Sequence, residues 1–207
     1  SHFSNGFTAQ FPNIDIESND TLLLVLSEDY SSFYIDITPD LFLFEGESES
    51  MIETGSGSFG LSSNRLDDAS ESIILFKWDG NAENSIEDVD YFIWGGLQGA
   101  INKTGIGNYV EDTQADEQLY FEEVPDDYHA FSRILGLEEV NEESSGGNGI
   151  IGEDGTRDNE TSEDFRQSWE IVPMVEIGCT DLAAENYNPD ANIDDGSCTM
   201  NILDIIN

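Results

Sequence analysis

The sequence predicts an all-β protein, folded as an antiparallel sandwich or barrel, on two observations. Short apolar segments are separated by turns rich in Gly, Ser, Asn and Asp, which is typical of small antiparallel strands. No window of a dozen residues carries a sustained 3.6-residue apolar period, so we expect little helix. A length of 207 residues, 38% of them hydrophobic, is enough for one main core and an appendage.

Each predicted strand is a short run that is apolar throughout or alternates apolar with polar residues, bounded by turn formers. Asp79-Gly80 is such a turn signal, because Gly adopts positive φ without strain. We therefore expect the strands on either side of it to pair as a hairpin. The predicted strands are 22–26, 30–37, 72–78, 89–94, 129–135 and 168–172.

Two long stretches, 44–72 and 141–164, are predicted to be surface loops because they are rich in Gly, Ser, Glu and Asp. The second contains the Gly-rich run GGNGIIG. This run does not join a strand to a helix, so it does not predict a phosphate site.

The charge of the chain is its most unusual property. Its 45 acidic and 6 basic residues give a formal net charge of −39, which destabilises the compact state by self-repulsion. Screening by a saline medium, bound divalent cations or a cationic partner would offset it, in that order of expectation. Nucleic acid is excluded as a partner because the basic residues are scattered singly. They are Arg65, Lys77, Lys103, Arg133, Arg157 and Arg166.

Two features bear on the compartment. No run approaches the roughly 18 apolar residues that a spanning helix needs, so we expect no membrane insertion. The two cysteines, Cys179 and Cys198, lie close together in a stretch rich in Gly, Asp and Asn. This arrangement predicts a disulfide loop and therefore an extracellular or cell-surface location.

No pattern in the chain predicts catalysis. Adjacent carboxylates such as Asp67-Asp68 are expected by chance among 45 acidic residues, and a solvated surface is their simplest interpretation. The only imidazoles are those of His2, at a terminus, and His129, which we expect at an edge position of a strand. No nucleophile elbow, zinc-binding helix or phosphate loop is present. The chain is therefore predicted not to be an enzyme.

A calcium site is a hypothesis for the cysteine-bounded segment. Asn188, Asp190, Asn192 and Asp194 are spaced by two, and Asp195 follows them. Oxygen ligands at this spacing, on a loop bent by Gly, can surround one calcium ion. The alternative is that these residues form turns, since Asp and Asn bond their own backbone.

The chain up to residue 176 resembles bacterial lamin-tail domains. That resemblance implies an immunoglobulin-like antiparallel β-sandwich over residues 1–176, in agreement with the strand pattern. The segments that carry it are FP at 11–12, LLLVLS at 22–27, GLSSNRLDDASESIILFKWDG at 60–80, DYFIWG at 90–95, NKTG at 102–105, FSRI at 131–134 and SGGNGIIGEDGTRDNETSEDFRQSW at 145–169.

The resemblance also predicts an open sheet edge. The opening strands that lamin-tail domains usually carry are missing before Ser1. An edge left without its neighbour is a site for strand addition. We therefore expect a protein partner, or self-association, through that edge.

Residues 178–198, GCTDLAAENYNPDANIDDGSC, are similar to short modules repeated in secreted and surface proteins, mainly of marine Bacteroidetes. The resemblance implies a Cys-closed module over 177–200, and 201–207 is a tail or the start of a further segment. Within the module we expect Tyr187 to be the packing anchor.

Together these features predict a non-catalytic extracellular module for surface architecture, adhesion or filament assembly, with calcium as a hypothetical stabiliser. One alternative is an accessory domain of a larger exported hydrolase, such as a nuclease or phosphatase. Another is a carbohydrate-binding module that uses Trp78, Trp94 and Trp169 as stacking faces, although core packing is the preferred interpretation of these residues.

Overall fold

The computed structural model separates the chain into two compact units, Ser1–Asp67 and Asp68–Asn207. The predicted boundary at residue 177 lies within the second unit, and the three-part division stays a prediction. The described residues are 6–17, 20–27, 30, 38–44, 50–60, 66–81, 83–106, 108–126, 129–138, 140–143, 145–151, 155–174, 177–191 and 193–200.

The predicted all-β class is confirmed. In the described ranges helical structure is limited to short segments, such as the 3-10 turns Leu97–Gly99 and Glu160–Ser162 and the helix α1, Phe165–Ser168. The strands assemble in pairs, so the immunoglobulin-like sandwich stays a prediction. They are β1 Ala9–Gln10, β2 Leu24–Val25, β3 Leu41–Phe42, β4 Ile52–Glu53, β5 Glu71–Lys77, β6 Glu87–Trp94, β7 His129–Arg133, β8 Trp169–Pro173, β9 Ile177–Gly178 and β10 Ile193–Asp194.

The first unit has a small apolar core of its own. Its strands form the antiparallel pair β1–β4 and the parallel pair β2–β3. The predicted strand 22–26 is shorter than expected, and the predicted strand 30–37 lies almost entirely outside the described residues. The stretch 44–72 is not all surface loop, because it contains β4 and two core residues. The buried core comprises Leu41, Leu43, Met51 and Phe59, packed by Phe7, Ala9, Leu22, Leu24 and Leu26.

The predicted hairpin is the longest strand pair of the second unit. β5 and β6 are antiparallel, with Glu71 opposite Trp94 and a register shift between Leu75 and Phe76. Four successive residues of β6, Tyr91 to Trp94, are buried. Because successive side chains point to opposite faces of a strand, both faces of β6 are covered at this end. β6 is therefore the central strand of the unit.

The last predicted strands also pair with each other. β7 and β8 are antiparallel, and α1 leads directly into β8. Phe165 of α1 is fully buried. The helix therefore contributes a core side chain at the beginning of β8.

An aromatic cluster joins β6, β7, β8 and α1. Phe92 lies at its centre, with its ring centroid 3.9 Å from that of Trp169 and 5.0 Å from that of Phe131. The rings of Trp94 and Phe165 lie 5.6 and 5.7 Å from Phe92. Each such pair is worth about 0.5–1.5 kcal/mol beyond the area that it buries. The cluster is the apolar centre of the second unit.

The prediction that 141–164 is a surface loop is wrong for much of the stretch. A Cβ on Gly147 would lie 2.1 Å from the Asp158 carbonyl oxygen, so only Gly allows these backbones to meet. The composition suggested solvation because it is polar. The structure instead encloses several of these polar groups, and the side chains of Asn148 and Thr161 form hydrogen bonds there. The buried residues of the stretch include Gly147, Asn148, Gly149, Asn159, Glu160, Thr161 and Glu163.

Two glycines of the second unit give a matched test of backbone packing. Gly95 and Gly80 both have positive φ, 70° and 82°. A Cβ on Gly95 would meet the Ala69 carbonyl oxygen at 1.7 Å, whereas at Gly80 it would meet open space. We expect Gly80→Ala to lower the free energy of unfolding by about 1 kcal/mol through φ alone. Gly95→Ala should cost clearly more in urea denaturation, and equal losses would contradict the close approach.

Candidate functional site

The cysteine-bounded segment contains the expected disulfide. Cys179 and Cys198 are joined with an S–S distance of 2.04 Å and Cα atoms 4.8 Å apart. β9 and β10 form a short parallel pair inside this segment. Closing a loop of this length contributes about 3 kcal/mol by restricting the unfolded chain. The bond therefore orders a segment that has almost no apolar core.

The residues of the calcium hypothesis form turns in this segment. The backbone N–H groups of Asp190, Gly196 and Ser197 donate to the side-chain oxygens of Asn188, Asp194 and Asp195, at 3.1, 3.0 and 2.8 Å. The bond from Ser197 lowers the pKa of Asp195. Asn192 lies outside the described residues. The turn-forming interpretation accounts for these contacts, and calcium binding here stays a prediction.

Tyr187 is not the packing anchor of the segment. Its side chain is 37% exposed, whereas Cys179 and Ala184 are buried. Gly178 is also buried, and a Cβ there would lie 3.1 Å from the Asn188 side-chain nitrogen. The disulfide and small residues thus take the place of an aromatic anchor.

The second unit contains a buried ion pair in which Lys103 is shared by Asp88, on β6, and Asp112. The Lys103 ammonium lies 2.9 Å from Asp88 Oδ2 and 3.1 Å from Asp112 Oδ2. Both aspartate side chains are fully buried and the lysine side chain is 8% exposed. Removing one partner of such a group costs about 3–5 kcal/mol, because an uncompensated charge stays buried. Replacing any one of the three residues is therefore expected to destabilise the fold.

Further polar groups complete this network. The Tyr109 hydroxyl donates to Asp88 Oδ2 at 2.6 Å, and its ring faces the Lys103 ammonium at 5.0 Å. Asn148 donates to Asp112, and its side-chain oxygen accepts the Glu160 backbone N–H at 3.1 Å. Through these side-chain contacts the network links two loop segments to β6.

Burial controls the protonation of this network. It raises the pKa of Asp88, against Lys103 and Tyr109, which lower it. Burial together with the hydrogen bond to Asp88 also raises the pKa of Tyr109. These groups are enclosed and bonded to one another, so a change to one of them alters the surroundings of the others.

A second cluster of charges surrounds the neighbouring part of β6. Carboxylate oxygens of Asp90, Glu138 and Glu160 lie within 4.8 Å of one another. Glu142 and Glu163 are close enough to interact electrostatically with this group. We call these five residues the acidic cluster. Carboxylate oxygens that converge in this way are the ligands that hard cations use.

Arg133 is the main positive charge beside the acidic cluster. Its guanidinium bonds Asp90, lies 2.9 Å from Glu163 Oε1 and lies 3.4 Å from Glu138 Oε1. It also lies 4.8 Å from the ring centre of Trp169. The guanidinium therefore links the acidic cluster to the aromatic core. One cation against five carboxyls does not supply enough positive charge to keep all five ionised.

Four carboxyls of the acidic cluster bind protons unusually tightly. Burial, reinforced by Glu142 and Asp90, raises the pKa of Glu160 to about 9. Burial together with Asp158 and Glu163 raises the pKa of Glu142 to about 8. Burial also raises the pKa of Glu163 to about 7 and that of Asp90 to about 6, although Arg133 opposes both shifts.

The interpretation of adjacent carboxylates as solvated surface is wrong for Asp88, Asp112 and Glu163, which each have an acidic neighbour in sequence and are buried. Glu160, which has no such neighbour, is buried as well. The interpretation is correct for Asp67-Asp68, which is exposed. One sequence signal for the buried groups is the position of Asp88 and Asp90, two residues apart in the apolar strand β6. A second signal was the rarity of basic residues, since each lysine or arginine in so acidic a chain is a candidate counter-ion.

The tryptophans and the histidine divide between core and surface. Trp94 is buried, and the ring of Trp169 stacks on Phe92 at 3.9 Å. Trp78 is 48% exposed, and its indole N–H donates to the Asn81 carbonyl at 3.0 Å. His129 lies exposed at the beginning of β7. The interpretation as core residues is thus correct for Trp94 and Trp169 and wrong for Trp78.

Comparison with protein families, curated proteins and solved structures gave no match for this chain. The lamin-tail and cysteine-module resemblances therefore stay predictions. In the part of the chain that the structure describes, no helix is long and apolar enough to cross a membrane. The class that fold and contacts define is an acidic all-β protein with buried charge networks.

The buried ion pair gives a direct stability test. We expect Lys103→Met to lower the free energy of unfolding by about 3–5 kcal/mol, because Asp88 and Asp112 would keep buried charge without a cation. Lys77→Met is the matched control on the exposed strand β5 and should change stability by less than about 0.5 kcal/mol. Urea denaturation measures both, and equal effects would refute the ion pair as a stabilising contact.

The acidic cluster predicts an inverted pH dependence of stability. Four of its carboxyls, those of Asp90, Glu142, Glu160 and Glu163, bind protons more tightly in the folded chain than in the unfolded chain, where Glu titrates near 4.5. The folded protein therefore holds more protons between about pH 5 and 9, and the free energy of unfolding falls as pH rises. We expect the melting temperature in chelator-containing buffer to fall across this window.

Glu160→Gln tests this dependence because it removes the carboxyl with the highest pKa of the cluster. The fall in melting temperature should become shallower in this variant. Glu170→Gln, on the exposed side of β8, is the control and should keep the slope of the parent protein. An unchanged slope in Glu160→Gln would show that other groups cause the pH dependence.

Proposed function

We propose that this protein is a non-catalytic extracellular module that assembles through protein contacts, in surface architecture, adhesion or a filament. The observation that carries the proposal is the outer edge of β5. Within the second unit, one edge of β5 pairs with β6. No strand of the described residues pairs with its other edge. An open edge presents backbone donors and acceptors to another chain.

The second half of β5 is the part suited to strand addition. The 3-10 turn Leu97–Gly99 contacts the beginning of the strand, where the Ser72 hydroxyl donates to the Gly99 carbonyl at 2.8 Å. Further along, Leu75 and Phe76 are 42% and 41% exposed. Apolar side chains beside an open edge supply the burial that strand pairing requires.

The occupant that we propose is a second copy of this chain. A net charge of −39 repels another copy at low salt. The screening length shrinks from about 30 Å at 0.01 M salt to about 3 Å at 1 M, so repulsion between copies becomes short-ranged in a saline medium. Self-association should therefore be governed by ionic strength.

Two other features support a role through contact. The charged groups of the ion pair are enclosed and bonded to one another, which suits stabilisation better than turnover. The disulfide suits an oxidising, extracellular location. The resemblance to lamin-tail domains and to the cysteine module of surface proteins points in the same direction.

Sedimentation velocity at low and high sodium chloride tests the proposal. We expect a monomer at about 0.01 M salt and reversible association at about 1 M. Leu75→Glu should keep the chain monomeric at both salt concentrations, because a charge on the edge opposes strand pairing. Far-UV circular dichroism checks that the variant is folded.

Leu182→Glu is the matched control, since Leu182 is 80% exposed in the cysteine-bounded segment and the charge change is the same. It should associate like the parent protein. A parent protein that is monomeric at every salt and protein concentration would overturn self-assembly, as would equal effects of the two variants.

A further inference from the structure

The acidic cluster has two properties that together point to a ligand. The first is the convergence of carboxylate oxygens from Asp90, Glu138 and Glu160 within 4.8 Å. The second is that Glu160, only 5% exposed, has a buried oxygen, Oε2, with no hydrogen-bond partner among the described residues. A buried carboxylate oxygen without a partner is costly unless something binds it.

We propose that Asp90, Glu138 and Glu160 bind one calcium ion. The ligands come from three separate parts of the second unit. Asp90 lies on β6, Glu138 follows β7, and Glu160 begins a 3-10 turn whose first N–H is held by Asn148. A bound ion would join these three segments beside Glu160, whose Oε2 has no hydrogen-bond partner among the described residues.

Charge favours a divalent ion at this position. Three of the five carboxyls of the acidic cluster pair with one guanidinium, that of Arg133: they are Asp90, Glu138 and Glu163. Glu142 also has a buried oxygen with no hydrogen-bond partner in the described part of the chain. A divalent cation adds the positive charge that Arg133 alone does not supply, and it allows the ligating carboxyls to stay ionised.

The ligand chemistry favours calcium. The three proposed ligands are carboxylates, which hard cations prefer to nitrogen or sulfur ligands. Calcium bonds oxygen at about 2.3–2.6 Å, so oxygens on opposite sides of one ion lie about 5 Å apart. The observed span accommodates that geometry. Calcium also accepts six to eight ligands in irregular arrangements, whereas magnesium demands a near-ideal octahedron.

This site is separate from the cysteine-bounded segment, where side-chain oxygens already bond the backbone in turns. It is also independent of the β5 edge, so each proposal can fail without the other. A chain this acidic attracts cations diffusely, and the experiment must therefore separate one specific site from the general ion atmosphere.

Isothermal titration calorimetry with calcium chloride, in about 0.15 M sodium chloride, tests the site. We expect one specific ion per chain. Glu160→Gln keeps the shape of the side chain and removes its charge, and it should weaken calcium binding at least tenfold. Glu138→Gln, at a less buried ligand, should weaken it in the same direction and serves if the first variant does not fold.

Two control variants locate the binding. Glu170→Gln removes an exposed carboxylate outside the cluster, and Asp190→Asn removes one in the cysteine-bounded segment. Both should bind calcium like the parent protein. Thermal melts of every chain, with calcium, magnesium or sodium chloride at matched ionic strength, should show a larger stabilisation by calcium that Glu160→Gln loses.

Three outcomes would overturn the proposal. Equal stabilisation by calcium and by sodium chloride at matched ionic strength would mean screening only. Loss of binding in Asp190→Asn, with Glu160→Gln unaffected, would move the site to the cysteine-bounded segment. Unchanged affinity in both Glu160→Gln and Glu138→Gln would show that the acidic cluster does not hold the ion.

Discussion

The buried ion pair of Lys103 with Asp88 and Asp112 is the constraint on which the second unit depends. Each ion taken out of water costs several kcal/mol, so the three side chains must stay together once they are enclosed. Asp88 belongs to β6, whereas Lys103 and Asp112 belong to a segment whose described residues form no strand of their own. Asn148 bonds Asp112 and brings in a third segment. Side-chain polar contacts therefore join these segments to β6 together with isolated backbone bridges, such as that of Asp88 with Gly149.

Strand β6 brings together the apolar and the charged parts of the unit. Phe92 lies at the centre of the aromatic cluster, and two residues earlier Asp90 bonds Arg133. Arg133 in turn faces the ring of Trp169. Burial of the aromatic rings supplies the favourable free energy that allows charges to be enclosed beside them. Two of the few basic residues, Lys103 and Arg133, thus lie beside buried carboxyls.

How well a feature could be predicted depended on the sequence distance between its parts. The β5–β6 hairpin was predictable because its apolar runs flank a local turn signal at Asp79-Gly80. The ion pair of Asp90 was not, because its partner Arg133 is 43 residues away. The stretch 141–164 was misjudged for the same reason. Its polar side chains look solvated in sequence, yet Asn148 and Thr161 bond groups on other segments.

The sequence by itself determined the all-β class, the main hairpin and the disulfide, because each follows from local patterning or from having only two cysteines. Only the tertiary structure decided which of 45 acidic residues are buried and which of them converge. The physical reason is that a carboxylate is solvated by default. It becomes buried only where distant residues supply a counter-charge, hydrogen bonds or a shared ligand, and pattern alone does not encode that meeting.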